Sequence, residues 1–346
     1  MQRHLVAIII GTALALAGVN SFAATASSPA ADAGTDAHRA YMRDLGDALG
    51  RSDDADALLT AALIDGFGVD GFYGAATTQG FGTLLARAEQ AAPHDPLVWW
   101  VAATQCRGEA NTCAAAQRDA RGKLLLVDAD NAVAWLLECA AMQESGDHAA
   151  AAHALAKAAA ATRYDDHMIA SVKMLAAQLA AHPVPDAVRH SAEGGAVVSP
   201  DAFASTMAWA IASAFVMPSI GVPFSVCTPN KKPVQNAATV RQCLDLARTM
   251  QHANTLMAMS VGLRIEQRLL AGTRQVADVD RRERKHHWMI EQMSALAPLM
   301  SGDSVEARRY RSVLHASNSE RAALEAMMKV QGIPLDPPAN WQEPAH

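Results

Sequence analysis

Residues 131–163 read NAVAWLLECAAMQESGDHAAAAHALAKAAAATR. Ala, Leu, Met, Glu, Gln and Lys are strong helix formers, and they dominate this stretch. Asn131 stands just before the apolar run, where a side-chain oxygen can cap a helix. Gly146-Asp147 interrupts the pattern, and a second helix follows from about Ala149 to Ala161. Two helices joined by so short a polar turn lie antiparallel. The stretch therefore reads as a helical hairpin, which sets the expectation for the chain as a whole.

The same grammar extends on both sides. Asp95-Pro96 starts another helix, and from Thr77 to about Ala180 the pattern is one of consecutive helices joined by short turns. Within it, Met168, Val172, Leu175 and Leu179 mark a last helix. Nearer the N-terminus, Tyr41, Leu45 and Leu49 recur at four-residue spacing, as one buried helix face requires. Gly50 should end that helix, and Ser52 should cap a second one running to about Ile64. Residues 66–71 spell G-x-G-x-x-G, but a dinucleotide fingerprint needs a strand before it. Here a helix precedes it, so an ordered interhelix loop over 65–74 is expected.

One part of this pattern resembles a known family. Trp135 is followed by small Cys139 and large Met142, and after the Gly146-Asp147 turn come Ala151, Leu155 and Ala158. That spacing is similar to a tetratricopeptide repeat. A partial copy lies 36 residues earlier, where Asp95-Pro96-Leu97-Val98-Trp99 echoes Asn131-Ala132-Val133-Ala134-Trp135 and Ala103 matches Cys139. The copy departs at Asp119 and Gly122, Arg163 stands where the family favours Pro, and Lys173 where a small residue belongs. The resemblance covers roughly residues 95–163. It implies a short solenoid of hairpins that binds a protein or peptide partner.

His182-Pro183-Val184-Pro185, Gly194-Gly195 and Ser199-Pro200 break the helical pattern. The expected fold is thus all-α: a hairpin region over 37–182, a linker over 183–199, and a second helical half over 200–335. In that half no charge falls between Asp201 and Lys231, and Phe203, Met207, Ile211 and Phe215 share one face. Interruption by Pro218 and many Ser and Thr residues favour a core helix over a membrane span. Further helices are expected near 235–252, 254–271, 274–298 and 304–331, the last broken at Ser317-Asn318. Residues 336–346, with three prolines, should form an extended tail.

The ends and the cysteines bear on location. Met1–Ala23 carries one Arg, no acid, a short apolar centre and a Ser21-Phe22-Ala23 exit, so a signal peptide cut after Ala23 is expected. Residues 24–36 then read as a flexible linker. Losing the leader moves the net charge from −6 to about −7, which offers no electrostatic footprint for nucleic acid. In an oxidising compartment, periplasmic or extracellular, five cysteines allow local bridges. Cys106 with Cys113 and Cys227 with Cys243 are the expected pairs, leaving Cys139 as a buried thiol; the alternatives are that neither pair forms or that Cys139 replaces one partner.

Candidate chemistry is sparse. Glu283, His287 and Glu291 share a helix face but sit among cations, a poor setting for a metal. Met250, His252, Met257 and Met259, like His286, His287, Met289 and Met293, suggest copper(I) ligands, against which methionine is a common core filler. Asp165-Asp166-His167 reads as a helix start. No catalytic, cofactor-binding or metal-binding residue is assigned, and no cofactor is expected. Trp99, Trp100, Phe72 and Tyr73 are the candidates for an interaction surface, against packing between repeats as the other reading of all four. The expected function is a non-catalytic protein-binding or scaffold protein of the cell envelope. The alternatives are a small-ligand binder or enzyme with its site where the two helical halves meet, near 182–200 and 218–235, and a metal-handling protein.

Overall fold

A computed structural model describes residues 29–70, 79–106, 110–189, 197–228, 236–300 and 302–343. Among these the chain is all-α, with fifteen helices and one short 3₁₀ turn. The first eight helices are α1 (Pro29–Gly50), α2 (Ala55–Asp70), α3 (Phe81–Ala91), α4 (Pro96–Thr104), α5 (Ala110–Val127), α6 (Ala132–Glu144), α7 (His148–Ala160) and α8 (Met168–Ala180). After the turn at Asp186–Val188 come α9 (Pro200–Ile220), α10 (Val222–Cys227), α11 (Ala237–Met250) and α12 (Leu256–Leu269). The last three are α13 (Val276–Met300), α14 (Val305–Ser317) and α15 (Glu320–Val330). Two compact units result, each drawing on both sides of the 183–199 break. One comprises Met1–Ala116, Ala170–Phe215 and Ala297–Arg308; the other comprises Gln117–Ile169, Val216–Leu296 and Arg309–His346. The expected signal peptide lies outside the described residues.

In the first unit the Tyr41, Leu45 and Leu49 stripe of α1 is buried, and Phe203 of α9 packs edge-on against Tyr41 with ring centroids 6.0 Å apart. α1 starts at Pro29 rather than near Ala37, so part of the expected linker is helical. The Ala residues at 30, 31 and 33 favour helix even without an apolar face. Arg87 of α3 holds the end of α1 and the turn after it, donating to Gly50 O and, at 2.7 Å, to Ser52 O. Asp54, not Ser52, caps α2 by accepting from Ala57 N–H at 2.9 Å.

α2 also runs past Ile64 to Asp70, through the first two glycines of the G-x-G-x-x-G string. Packing decides this. A Cβ on Gly66 would lie 3.1 Å from Phe215 and 3.2 Å from Phe81, so a glycine lets α2 come close to both rings. Asp65 then accepts from Phe81 N–H at 2.8 Å and steadies the start of α3. The remaining loop residues, Phe72 and Tyr73 among them, lie outside the described residues.

Trp99 and Trp100 are 7% and 0% exposed, so neither serves as a surface anchor. α4 is apolar on every side, from Leu97 to Ala103, and leaves no face to water. The packing alternative describes both tryptophans. Cys106 and Cys113 stand at disulfide distance with Cα atoms 5.4 Å apart.

In the second unit α6 and α7 form the hairpin anticipated from residues 131–163, turning at Gly146 with φ 79°. α11 packs on α7 and on α12. Gly262 lets α12 approach α11 closely, since a Cβ there would fall 2.6 Å from Ala247 O. Cys227 and Cys243 join the end of α10 to α11, with Cα atoms 5.7 Å apart, and Cys139 is buried as a free thiol. The expected break at Ser317-Asn318 divides α14 from α15, with Asn318 at φ 53°. Beyond Gly332 the tail lies along α13: Trp341 meets Trp288 edge-on at 5.7 Å and donates to Glu291 at 2.8 Å. No helix of the described residues is long and apolar enough to cross a membrane.

Two local motifs recur across the chain. Asp95 and Asn131 each accept from the N–H two residues on, at 2.8 and 3.2 Å. Trp99 and Trp135 each donate from the indole to the carbonyl six residues back, Pro93 and Ala129, both at 2.8 Å. The first copy lies in one unit and the second in the other.

Candidate functional site

A dense polar construction lies in the second unit, where α7 hands over to α8. The segment leaving α7 pairs with the segment entering α6: Ala132 N–H donates to Arg163 O at 2.9 Å, and Arg163 N–H to Asp130 O at 3.3 Å. Asn131, fully buried, locks the pairing. Its Oδ1 accepts from Val133 N–H and from Asp165 N–H at 2.9 Å. Its Nδ2 donates at 2.8 Å to both Asp165 O and Asp128 Oδ2. Both donors are used and the oxygen accepts twice, which satisfies the amide completely.

Asp128 is 1% exposed and sits beneath this loop. Arg163 pairs with it, with Asp130 at 3.1 Å and with Asp165 at 3.5 Å. His167 Nε2 stands 3.1 Å from its other oxygen. Burial alone would raise the Asp128 pKa, but the hydrogen bond and charge of His167, with Asn131 and Arg163, hold it below the usual carboxylate range. His167 adopts φ 59°, a left-handed conformation that a non-glycine residue takes only where its surroundings impose it. Here Asp165 accepts from His167 N–H at 2.9 Å and Asp166 from Met168 N–H at 3.1 Å. The triplet 165–167 therefore starts α8, as expected, and also belongs to a wider network.

That network reaches two more helix starts. Thr255 Oγ1, which caps α12, donates to Asp166 at 2.7 Å. Glu320 at the start of α15 accepts from Leu256 N–H at 2.8 Å, and Asn254 Nδ2 donates to Asp165 at 3.1 Å. Acids placed at helix N-termini meet the positive end of the helix dipole. Burial nevertheless pushes Asp166 up to about 6, against the hydrogen bond from Thr255. Burial likewise pushes Glu320 up to about 7, against the Leu256 N–H, with Asp166 adding to the rise.

Over this base opens a cavity of about 400 Å³, lined by Thr162, Arg163, Tyr164, Asp165, Arg248, Thr249, His252, Asn254 and Asn318. Its residues come from both halves of the sequence, 162–165 on one side and 248–254 with Asn318 on the other. This lining does not include the stretches near 182–200 and 218–235 where a site is expected from sequence, and parts of those, 190–196 and 229–235, lie outside the described residues. His167, which is not on the cavity wall, holds Asp128 through Nε2.

The other candidates disperse. Glu283 pairs with Arg264 at 3.3 Å, His287 with Glu343, and Glu291 accepts from Trp341, so the stripe on α13 is engaged side chain by side chain. Met289, Met293, Leu296 and Met300 are buried as core, while His252 is exposed. Ser260 Oγ lies 2.5 Å from His286 Nε2, a pair that sequence reading missed. His286 Nδ1 has no hydrogen-bond partner to orient it, and burial pushes the ring down to about 3, too weak a base at neutral pH. Asp128 and Arg163 were also missed as a pair; they are 35 residues apart and meet only through the fold. No known family model, curated protein or solved structure matches the chain.

Proposed function

We propose that the chain is an exported, non-catalytic binding protein whose cavity in the second unit holds a small polar molecule. The observation that carries this reading is the cavity above the Asp128–Arg163–Asp165 network, whose wall is held by hydrogen bonds and ion pairs within the protein. A wall fixed in advance lowers the ordering entropy lost on binding. The volume falls in the range of small-molecule sites, about 300–1,000 Å³. Export through the Met1–Ala23 leader into the periplasm or the medium is the matching location, supported by the two cysteine pairs at disulfide distance.

The experiment is affinity selection from a small-molecule extract of the source cells, comparing the mature protein with a Thr249→Val, His252→Ala variant. A compound retained by the parent and lost by the variant is the expected result. Equal retention of every compound by both proteins overturns the proposal.

A second reading, binding of a protein or peptide by tetratricopeptide-like hairpins, draws on the motif shared by Asp95–Trp99 and Asn131–Trp135. In-cell crosslinking that captures a near-stoichiometric partner through 131–160 supports it; no partner above background removes it.

A further inference from the structure

We infer that the cavity takes an uncharged ligand with several hydrogen-bonding groups, hydroxyl or amide, and excludes ions; this rests on the cavity being the functional site.

The argument is one of charge already spent. Arg163 on the wall faces three carboxylates, those of Asp128, Asp130 and Asp165. An anionic ligand group approaching it meets net negative charge and competes with ion pairs made within the protein. Arg248, the other guanidinium on the wall, lies 3.3 Å from Asp245 and 3.7 Å from Glu266. Asp165 is the one carboxylate among the lining residues. It already accepts from His167 N–H, Asn254 Nδ2 and Arg163, which leaves little for a cationic ligand. A ligand ion of either sign therefore finds its counter-charge on the wall already paired and gains little by competing for it.

Neutral hydrogen bonding is treated differently by the same wall. Arginine carries five N–H donors, more than the two carboxylates beside Arg248 consume. The hydroxyl of Thr249 donates within its helix, to Asp245 O at 3.2 Å, and keeps its lone pairs for an incoming donor. Thr162, the exposed His252 ring and the Asn318 amide add donors and acceptors around the rim. A molecule whose groups both donate and accept, as hydroxyls do singly and amides do in pairs, matches this mixture without disturbing an ion pair.

The test is calorimetric titration of the mature, disulfide-intact protein with five probes at low and high salt. Trehalose represents a hydroxyl source and N-acetylalaninamide an amide source; alanine, inorganic phosphate and spermidine represent zwitterion, anion and cation. The expected result is binding of trehalose or N-acetylalaninamide whose affinity changes less than about twofold with salt, because no ion pair forms. Thr249→Val and His252→Ala, with melting profiles like the parent's, each weaken it by about tenfold, one hydrogen bond's worth. Which neutral probe binds identifies the source. Binding of alanine, phosphate or spermidine that both variants weaken, with neither neutral probe bound, overturns the inference and leaves the cavity as the site. Failure of both neutral probes to bind overturns it as well, and retention from the cell extract then decides the site itself.

Discussion

Replacing Glu320 with Gln should make the protein's stability less sensitive to pH, by an amount set by its burial. Glu320 is buried, accepts from Leu256 N–H at 2.8 Å and has its pKa pushed from 4.5 to about 7. A raised carboxyl pKa means that the folded chain holds the proton more tightly than the unfolded chain. Its contribution is therefore most favourable below pH 4.5, declines as pH rises, and is fully adverse above about 7. At about 1.4 kcal/mol per pH unit, the swing across that window is about 3 kcal/mol. Gln keeps an oxygen for the Leu256 N–H and cannot ionise. Urea unfolding of both proteins from pH 4.5 to 8 isolates the effect, because other titrating groups largely cancel in the difference. Asp166 is eased by the same change, since the two carboxyls repel, and this adds in the same direction. The stability difference should shift by about 3 kcal/mol in favour of Glu320→Gln as pH rises. A difference that stays constant across the range would refute the reasoning.

Asp128→Asn should lower stability by about 3 kcal/mol at pH 7, since it strips a buried partner from Arg163 and His167; a loss below about 1 kcal/mol in urea unfolding counts against the network. Gly262→Ala should lower the melting temperature, because its Cβ meets Ala247 O at 2.6 Å and overpacking of this kind typically removes about 1–3 kcal/mol. An unchanged melt would mean that α11 and α12 sit further apart. Peptide mapping without reduction should find Cys106–Cys113 and Cys227–Cys243 linked and Cys139 free, and removing the second bridge should lower stability by about 3 kcal/mol. A linked Cys139 would contradict this connectivity.

Local rules carried the sequence reading where local rules decide. The Tyr41–Leu45–Leu49 stripe, the Gly146 turn and the division of α14 from α15 at Asn318 are all written in a few neighbouring residues. Where a distant partner decides, the sequence is mute. Gly66 remains helical because Phe81 and Phe215 close on it, and neither ring is near it in sequence. The tryptophans of α4 are buried because the unit wraps that helix on all sides, a fact of tertiary packing. The cavity shows the same limit. Asp165-Asp166-His167 was visible as a helix start and is one. Its union with Asp128, Thr255 and Glu320 depends on one helix end and two other helix starts brought together by folding. Arg163 stood out only as a departure from the proline of a repeat, yet it ties three aspartates.

The most direct test of the account is a crystal structure of the mature protein grown with the compound it retains from its own cell extract. The account places that compound against Thr249, His252 and Asn318, with the Arg163 and Asp165 pairings beneath it intact. A compound bound elsewhere, or one that breaks those pairings to claim a charge, would contradict it.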